Sequence, residues 1–115
     1  MPHLVIEHSP DAAGGAALEA LCARLFEALA AHEAVTKPET LKLRTHASGA
    51  HLLGTRGQSY LHATLRLLPG RSEDTKSDLS QTILRVLEAE LPQVHSLSVD
   101  VADLSPAYAK RVLPD

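Results

Sequence analysis

Aromatic side chains are scarce in this chain of 115 residues, which has no tryptophan and only one phenylalanine, Phe26, and two tyrosines, Tyr60 and Tyr108. Proteins that bind single-stranded nucleic acid stack bases on several such rings. Basic residues are also in the minority, with 11 Lys and Arg against 14 Asp and Glu and a formal net charge of -3. The composition therefore argues against nucleic acid or an anionic membrane as a partner. A small basic pocket remains compatible with it.

Cysteine and long apolar runs are equally sparse. The lone Cys22 cannot form an intramolecular disulfide or a cysteine zinc site, and its place among apolar residues is typical of a small core side chain. No apolar stretch approaches the roughly 20 residues of a membrane span, and the opening Met1-Pro2-His3 lacks the basic region of a signal peptide. We therefore expect a cytoplasmic protein with a single domain over residues 1–115.

The first half of the chain has a strand-helix-strand pattern. Residues 3–8 are a short apolar run rich in β-branched side chains, which predicts a strand. Leucines recur at helical spacing over residues 14–33, and Thr36-Lys37-Pro38 is expected to end that helix. Apolar and polar residues then alternate over 41–46, which predicts a second strand, and Leu52-Leu53 is a candidate short strand in a glycine-rich segment.

The second half repeats this order. Residues 59–68 predict a long strand that Pro69-Gly70 ends. Ser72 is a good N-cap for a helix that Pro92 ends, and alternation over 95–103 predicts the last strand. The pattern indicates an α+β fold of two β-α-β units that share one sheet, with two helices on one face.

The sequence of the strands bears on assembly. Leu4, Val5 and Ile6 are apolar at consecutive positions, and Leu67-Leu68 repeats this, so both faces of the sheet are expected to be apolar. Two helices cover only one face. The other face is therefore predicted to pack against another subunit.

Pro2 is the first candidate for chemistry. Methionine followed by a small residue is normally removed in cells, which would leave a proline secondary amine at the N-terminus. An α-amino group titrates near pH 8, and burial or nearby cations lower that value, so such an amine can act as a general base at neutral pH. Pro2 directly precedes the first strand and should be anchored at the end of the sheet. The alternative is that Pro2 merely follows the start codon.

Three basic residues are candidates for binding an anion. Lys42 and Arg44 share one face of the second strand, which is costly unless they are solvated or face an anion. Arg71 precedes the second helix, where its guanidinium and the helix N-terminus could hold a carboxylate together. The alternatives are a solvated edge strand and a surface loop.

Seven histidines raise the question of a metal site. None of them forms an HxH or HExxH pattern, and no acidic cluster accompanies them, so no metal is predicted. Nucleophile-elbow, P-loop and dinucleotide-binding glycine patterns are also absent.

Taken together, these residues resemble the tautomerase superfamily, and within it the 5-carboxymethyl-2-hydroxymuconate isomerases. The resemblance rests on Met-Pro-His-Leu-Val-Ile-Glu at 1–7, Leu-Lys-Leu-Arg-Thr-His at 41–46, and residues 60–72 with Gly-Arg-Ser at their end. It covers most of the chain. It implies a four-stranded mixed sheet, a homotrimer, and a cofactor-independent isomerase that moves a proton along a conjugated 2-hydroxymuconate-type di- or tricarboxylate.

The resemblance also implies roles for the candidate residues. Pro2 would be the catalytic base, and Arg44 and Arg71 match arginines that would bind substrate carboxylates and stabilise the dienolate. Lys42 stands where close relatives carry an arginine, and it would keep the charge without the planar fork. No cofactor is implied.

Two other readings stay open. Another proline-based reaction on the same fold, such as decarboxylation or dehalogenation, would use the same residues. A ferredoxin-like module that binds a small ligand or a protein without catalysis would share the element order. Its sheet is wholly antiparallel, however, whereas the tautomerase pairs the strands within each β-α-β unit in parallel.

Overall fold

The computed structural model describes residues 1–115 and contains four strands and two long helices. In chain order these are β1 (His3–His8), α1 (Gly15–Ala30), β2 (Lys42–Ala47), β3 (Tyr60–Leu67), α2 (Glu73–Glu90) and β4 (Ser96–Asp103), with a short 3-10 turn at Pro38–Thr40 before β2. The predicted α+β order of two β-α-β units is confirmed.

The four strands form one mixed sheet in the order β2-β1-β3-β4. Within each β-α-β unit the strands pair in parallel, β1 with β2 and β3 with β4, while β1 and β3 pair antiparallel at the centre. A ferredoxin-like sheet has no such parallel neighbours. That reading of the element order is therefore wrong.

Both helices pack on one face of the sheet. Each long helix presents a stripe of fully buried side chains at helical spacing, and these meet the inward residues of the central strands. The stripe residues are Leu21, Leu25 and Leu29 of α1 and Leu79, Ile83 and Leu87 of α2. The core therefore lies between one sheet face and two helices, as the leucine spacing predicts.

The ends of the elements follow from local hydrogen bonds. Ser72 caps α2 as predicted, because its side-chain oxygen accepts from the amide of Thr75 at 3.1 Å. Helix α1 ends at Ala30, earlier than predicted, because the backbone turns at His32, whose ring Nδ1 accepts from the amide of Ala34 at 3.0 Å.

The proposed short strand at Leu52-Leu53 is absent. The side-chain amide of Gln58 forms hydrogen bonds with backbone groups that a strand would use for pairing. It accepts from the amide of Leu53 at 2.9 Å and donates to the Leu53 carbonyl at 2.9 Å. A local side-chain clamp therefore replaces sheet pairing in this segment.

The face of the sheet away from the helices is mainly polar, so the prediction of two apolar faces is wrong. Successive rows across this open face run Lys42, His3, Arg66, then Arg44, Val5, Thr64, then His46, Glu7, His62. Val5 is the one large apolar side chain among them. Leu68 lies beyond the end of β3 and is 46% exposed. The argument for a partner subunit from an apolar second face therefore fails, and the question of assembly depends on other evidence.

No helix in the structure is both long and apolar enough to cross a membrane.

Candidate functional site

Pro2 is fixed at the start of the sheet, as the sequence predicts. Its carbonyl oxygen accepts from the amide of Lys42 at 3.1 Å, which extends the parallel pairing of β1 and β2 by one step. Pro2 is buried, and Met1 is only 7% exposed. Chain ends usually fray into solvent, so this anchored and buried end is unusual.

A cavity of about 240 Å³ opens beside Pro2, and we call it the proline cavity. The turn between α1 and β2 forms one wall, and the segment before α2 forms another. Its lining residues are Met1, Pro2, Val35, Thr36, Lys37, Thr40, Leu68, Arg71 and Lys110. Three of them are cationic and none is acidic. The local charge is therefore opposite in sign to that of the whole chain.

A second cavity, of about 670 Å³, lies next to the first beneath the C-terminal tail, and we call it the tail cavity. Its lining again contains cations and no acid: Met1, His3, Lys42, Tyr108, Ala109, Lys110, Arg111, Val112 and Leu113. Met1 and Lys110 line both cavities. Met1 and Lys110 therefore lie where the two spaces meet.

The charges around Met1 act on its amino group. Burial lowers the pKa of this amine, and the nearby cations Lys110, Arg71 and Lys42 lower it further. All four influences disfavour the protonated form. This end of the sheet is therefore an environment that favours the neutral form of an amine, the form that a general base requires.

Arg71 is held in the wall of the proline cavity by two backbone carbonyls. Its Nη1 donates to the oxygen of Leu68 at 3.1 Å, and its Nη2 donates to the oxygen of Ala34 at 3.2 Å. A guanidinium has five N–H donors, so further donors remain for an anion. The structure thus brings together Pro2 and Arg71, two of the predicted site residues.

Lys42 and Arg44 lie on the open face of β2, as predicted, but only Lys42 lines a cavity with Met1. Arg44 lies further from Pro2, and its Nη1 donates to Nδ1 of His3 at 3.2 Å. Because Arg44 can only donate, this contact makes Nδ1 an acceptor and leaves the ring proton on Nε2. That nitrogen then donates to the hydroxyl of Tyr108 at 2.8 Å.

Burial and the charges of Arg44 and Lys42 lower the pKa of His3, which favours this neutral ring. The Tyr108 hydroxyl keeps its own proton free for donation. Arg44 is therefore linked by two successive hydrogen bonds to His3 and Tyr108, which line the tail cavity.

Sequence reasoning did not select Lys110, Tyr108 or Lys37 as site residues. Lys110 and Tyr108 lie in a tail without periodicity, and Lys37 lies in an irregular turn. No local pattern indicates that these segments fold back over Pro2. A signal that points to this segment is the presence of a lysine and a tyrosine within residues 106–115.

The remaining features of the structure involve none of the predicted site residues. A groove of about 580 Å³ runs between α1 and α2, where Arg24 pairs with Glu27 at 3.2 Å. Nowhere in the chain do three or more His, Cys, Asp or Glu side chains converge as metal ligands would. Cys22 is half-buried in α1, and burial raises the pKa of its thiol.

Comparisons with known proteins agree with this fold. The family model described as 5-carboxymethyl-2-hydroxymuconate isomerase matches residues 2–111. No curated protein sequence is significantly similar to the chain.

Among solved structures, the chain is similar to a 5-carboxymethyl-2-hydroxymuconate isomerase from Deinococcus radiodurans R1, with 23% identity and a TM-score of 0.78 over 96% of this chain and 88% of that one. A fused 4-OT described as a symmetric trimer matches at 13% identity and a TM-score of 0.73, over 90% of this chain and 88% of that one. A member of the cis-3-chloroacrylic acid dehalogenase family matches at 17% identity and a TM-score of 0.74, over 98% and 84%. At these identities the structural matches establish the fold.

The family match extends over nearly the whole chain, from the anchored Pro2 through Arg71 to the tail that covers both cavities. The chain is therefore an isomerase with the tautomerase fold, and it belongs to the 5-carboxymethyl-2-hydroxymuconate isomerase family.

Proposed function

We propose that this chain, after removal of Met1, is a cofactor-independent tautomerase in which Pro2 is the general base. Its substrate is a conjugated 2-hydroxymuconate-type acid with two or three carboxylates, of which 5-carboxymethyl-2-hydroxymuconate is the first to test. One observation carries the proposal. Pro2 is buried beside a cavity whose charged lining residues are all cations.

Removal of Met1 moves the free amine from residue 1 to Pro2. The two residues are neighbours, about 3.8 Å apart between α-carbons, so the new amine lies near the same cations. Lys110, Arg71 and Lys42 already lower the pKa of the Met1 amine. We expect the same influences to lower the pKa of the proline nitrogen and so to favour its neutral form. We also expect the loss of Met1, which lines both cavities, to open space between them.

The reaction needs no redox partner and no leaving group. The neutral proline nitrogen accepts the proton of the 2-hydroxyl group, which leaves a dienolate whose charge is spread along the conjugated chain. The protonated amine then returns a proton to a carbon of that chain and becomes neutral again. Cations placed in advance around the dienolate stabilise it, because they need not reorganise during the reaction.

The cations also have a role in binding the ground state. Arg71, fixed by two carbonyls, is suited to hold one carboxylate near Pro2, and Lys42 is suited to hold a second in the tail cavity. We assign Arg44 to a further carboxylate at the open face, since only one of its donors is committed to His3.

We further propose that the chain assembles as a homotrimer. Support comes from a matching fold that is described as a symmetric trimer, and from the two sheet edges, β2 and β4, that are unpaired within one chain. Light scattering on a sizing column should give three times the 12.3 kDa of one chain. A monomeric mass at micromolar concentration would contradict the trimer.

A stopped-flow ultraviolet assay tests the reaction. Intact mass spectrometry first establishes that Met1 is absent, and the protein is then mixed with 5-carboxymethyl-2-hydroxymuconate or with 2-hydroxymuconate. Conversion well above the buffer rate is expected, and the preferred dienol reports how many carboxylates the pocket binds. A matched control is the same chain with a short N-terminal extension, in which the Pro2 nitrogen is an amide and cannot be the base.

The structural match to a member of a dehalogenase family suggests one alternative activity to test, namely another proline-based reaction on the same fold. Release of chloride from 3-chloroacrylate, without conversion of either dienol, would overturn the tautomerase assignment in favour of that chemistry.

A further inference from the structure

We propose that His32, held by Asp78, is a positioning residue for Arg71. This inference rests on the proposed function, because it concerns the arginine assigned to the substrate carboxylate. His32 lines neither the proline cavity nor the tail cavity. It acts through the backbone of Ala34, to which both His32 and Arg71 are hydrogen-bonded.

The first link is between the His32 ring and Ala34. The Ala34 amide donates to Nδ1 of His32 at 3.0 Å, so this nitrogen carries no proton. The proton of the neutral ring is therefore on Nε2. The geometry fixes one tautomer without further assumptions.

The second link is between His32 and α2. Nε2 of His32 donates a hydrogen bond to Oδ2 of Asp78 at 2.5 Å. The His32 side chain is only 10% exposed although Asp78 is 65% exposed, so the ring is fixed between the turn and the helix. A carboxylate that orients an imidazole in this way selects the tautomer that the first link requires.

The third link is between Ala34 and Arg71. Nη2 of Arg71 donates to the Ala34 oxygen at 3.2 Å. Residues 32–34 and residues 71–78 are thus joined twice, once by the His32–Asp78 bond and once by the Arg71–Ala34 bond. Both segments also border the proline cavity, since Val35, Thr36 and Lys37 follow the first and Arg71 begins the second.

The His32–Asp78 and Arg71–Ala34 hydrogen bonds join the same two segments of backbone, so each bond supports the geometry of the other. Loss of the His32 ring leaves the Ala34 amide without its acceptor and allows the turn to shift. The Ala34 carbonyl, which accepts from Nη2 of Arg71, then moves with the turn. The guanidinium is expected to retain its charge but to lose its fixed direction, which weakens the binding of a carboxylate.

A double-mutant cycle tests this route. His32→Leu is expected to raise KM for the preferred dienol by about threefold to tenfold, the equivalent of one hydrogen bond, with a smaller change in kcat. In an Arg71→Ala background the same substitution should change KM by less than about twofold, because its effect is transmitted through Arg71. An equal factor in both backgrounds would overturn the proposal and assign His32 a general structural role.

Two variants refine the cycle. His32→Asn retains an oxygen near the position of Nδ1, which can accept from Ala34, and is expected to recover part of the loss. His95→Leu, an exposed histidine at the other end of the sheet, is the matched control and should leave KM unchanged.

A measurement without substrate separates this proposal from the proposed function. Nitrogen-15 NMR of the unsubstituted protein should show that the neutral His32 ring carries its proton on Nε2 and not on Nδ1. A proton on Nδ1 of the neutral ring would overturn the linkage whether or not the enzyme turns over. If the unsubstituted chain converts no dienol while the tautomer is as expected, the proposed function fails and the linkage stands.

Discussion

Met1 and Lys110, at opposite ends of the chain, line the same two cavities, and the charge of Lys110 is the largest of the three cationic influences that lower the pKa of the Met1 amine. Burial lowers this pKa most, and the C-terminal tail contributes the largest of the charge effects on the N-terminus. Because the amine is expected to pass to Pro2 when Met1 is removed, Lys110 is expected to influence the proposed catalytic base.

Lys110→Gln should raise the pKa of the proline amine, since it removes a cation that disfavours protonation. The acid limb of the profile of kcat/KM against pH, which reports the free base, should then move to higher pH. The profile of the unsubstituted enzyme should have that limb below the ordinary amine value of 8.0. Arg56→Gln, which removes a cation outside both cavities, is the charge-matched control. An acid limb that stays in place in Lys110→Gln would rule out this influence.

Pro2→Ala should lower kcat/KM by about tenfold to a thousandfold, within the range that a positioned general base contributes. Alanine still provides an amine after Met1 is removed, but a primary one on a more mobile chain end. Stopped-flow rates on the preferred dienol measure the loss, and circular dichroism shows whether the fold is retained. Unchanged turnover in a chain with intact fold would remove the proline mechanism.

Arg71→Ala should act mainly on binding. One charge-assisted hydrogen-bonding partner of a carboxylate contributes about 1.5–3 kcal/mol, so KM should rise by about tenfold to a hundredfold. Arg71→Lys keeps the charge but cannot reach two carbonyls with a planar fork, and should show an intermediate KM. A lower kcat with unaltered KM in Arg71→Ala would contradict the binding role and assign Arg71 to the transition state.

The sequence predicted the fold well because the strands and helices have clear periods. Leu21, Leu25 and Leu29 recur at helical spacing, and Ser72 is a capping residue at the start of an acidic first turn, so local rules were sufficient. The same rules failed at Leu52-Leu53, where the Gln58 side chain competes for the backbone. A contact of that kind cannot be read from apolar spacing.

The candidate site was only half predictable. Pro2 and Arg71 stand out because one is at the chain start and the other precedes a helix. The contributions of Lys110 and Tyr108 depend on a tail that folds back across the sheet, and no pattern in the sequence specifies that path. The polarity of the open face is hard to predict for a related reason. Val5 is apolar and lies between two core residues, which suggests an apolar face. Its neighbours on that face, such as Arg44 and Thr64, come from other strands and are polar.

The stability of the fold should depend on pH through His3. Its pKa in the folded chain is lowered from the ordinary value of 6.5, so the unfolded chain binds the proton more readily. His3 therefore contributes stability that is fully present above pH 6.5 and is lost as the pH falls through the lower folded value. Denaturant unfolding between pH 7.5 and 5 should show a smaller loss of unfolding free energy in His3→Gln than in the unsubstituted chain.

Arg44→Met is the companion variant, because Arg44 is the largest of the charges that lower the His3 pKa. Its removal should raise that pKa towards 6.5 and reduce the pH dependence of stability. A dependence as steep as that of the unsubstituted chain, in both variants, would show that other groups control this range.

Gly57 and His95 provide a test of packing far from the proposed active site. A Cβ at Gly57 would lie 2.4 Å from Nδ1 and 2.5 Å from Cγ of the His95 ring, much closer than atoms approach in folded proteins. Cγ is the ring atom nearest the backbone, so the ring must adopt another rotamer to relieve the clash, or the backbone must move. The amide of His95 is held by the Ser59 hydroxyl at 2.9 Å, which opposes a backbone shift. Gly57→Ala should therefore lower the free energy of unfolding by about 1–3 kcal/mol, as overpacking does.

Gly49→Ala, where nothing lies within 4 Å of the new Cβ, is the matched control and should have a much smaller effect. In a His95→Ala background the penalty at position 57 should largely disappear, because the atoms that clash are gone. A penalty that persists in that background would mean that the backbone at Gly57, and not the histidine ring, excludes a side chain there.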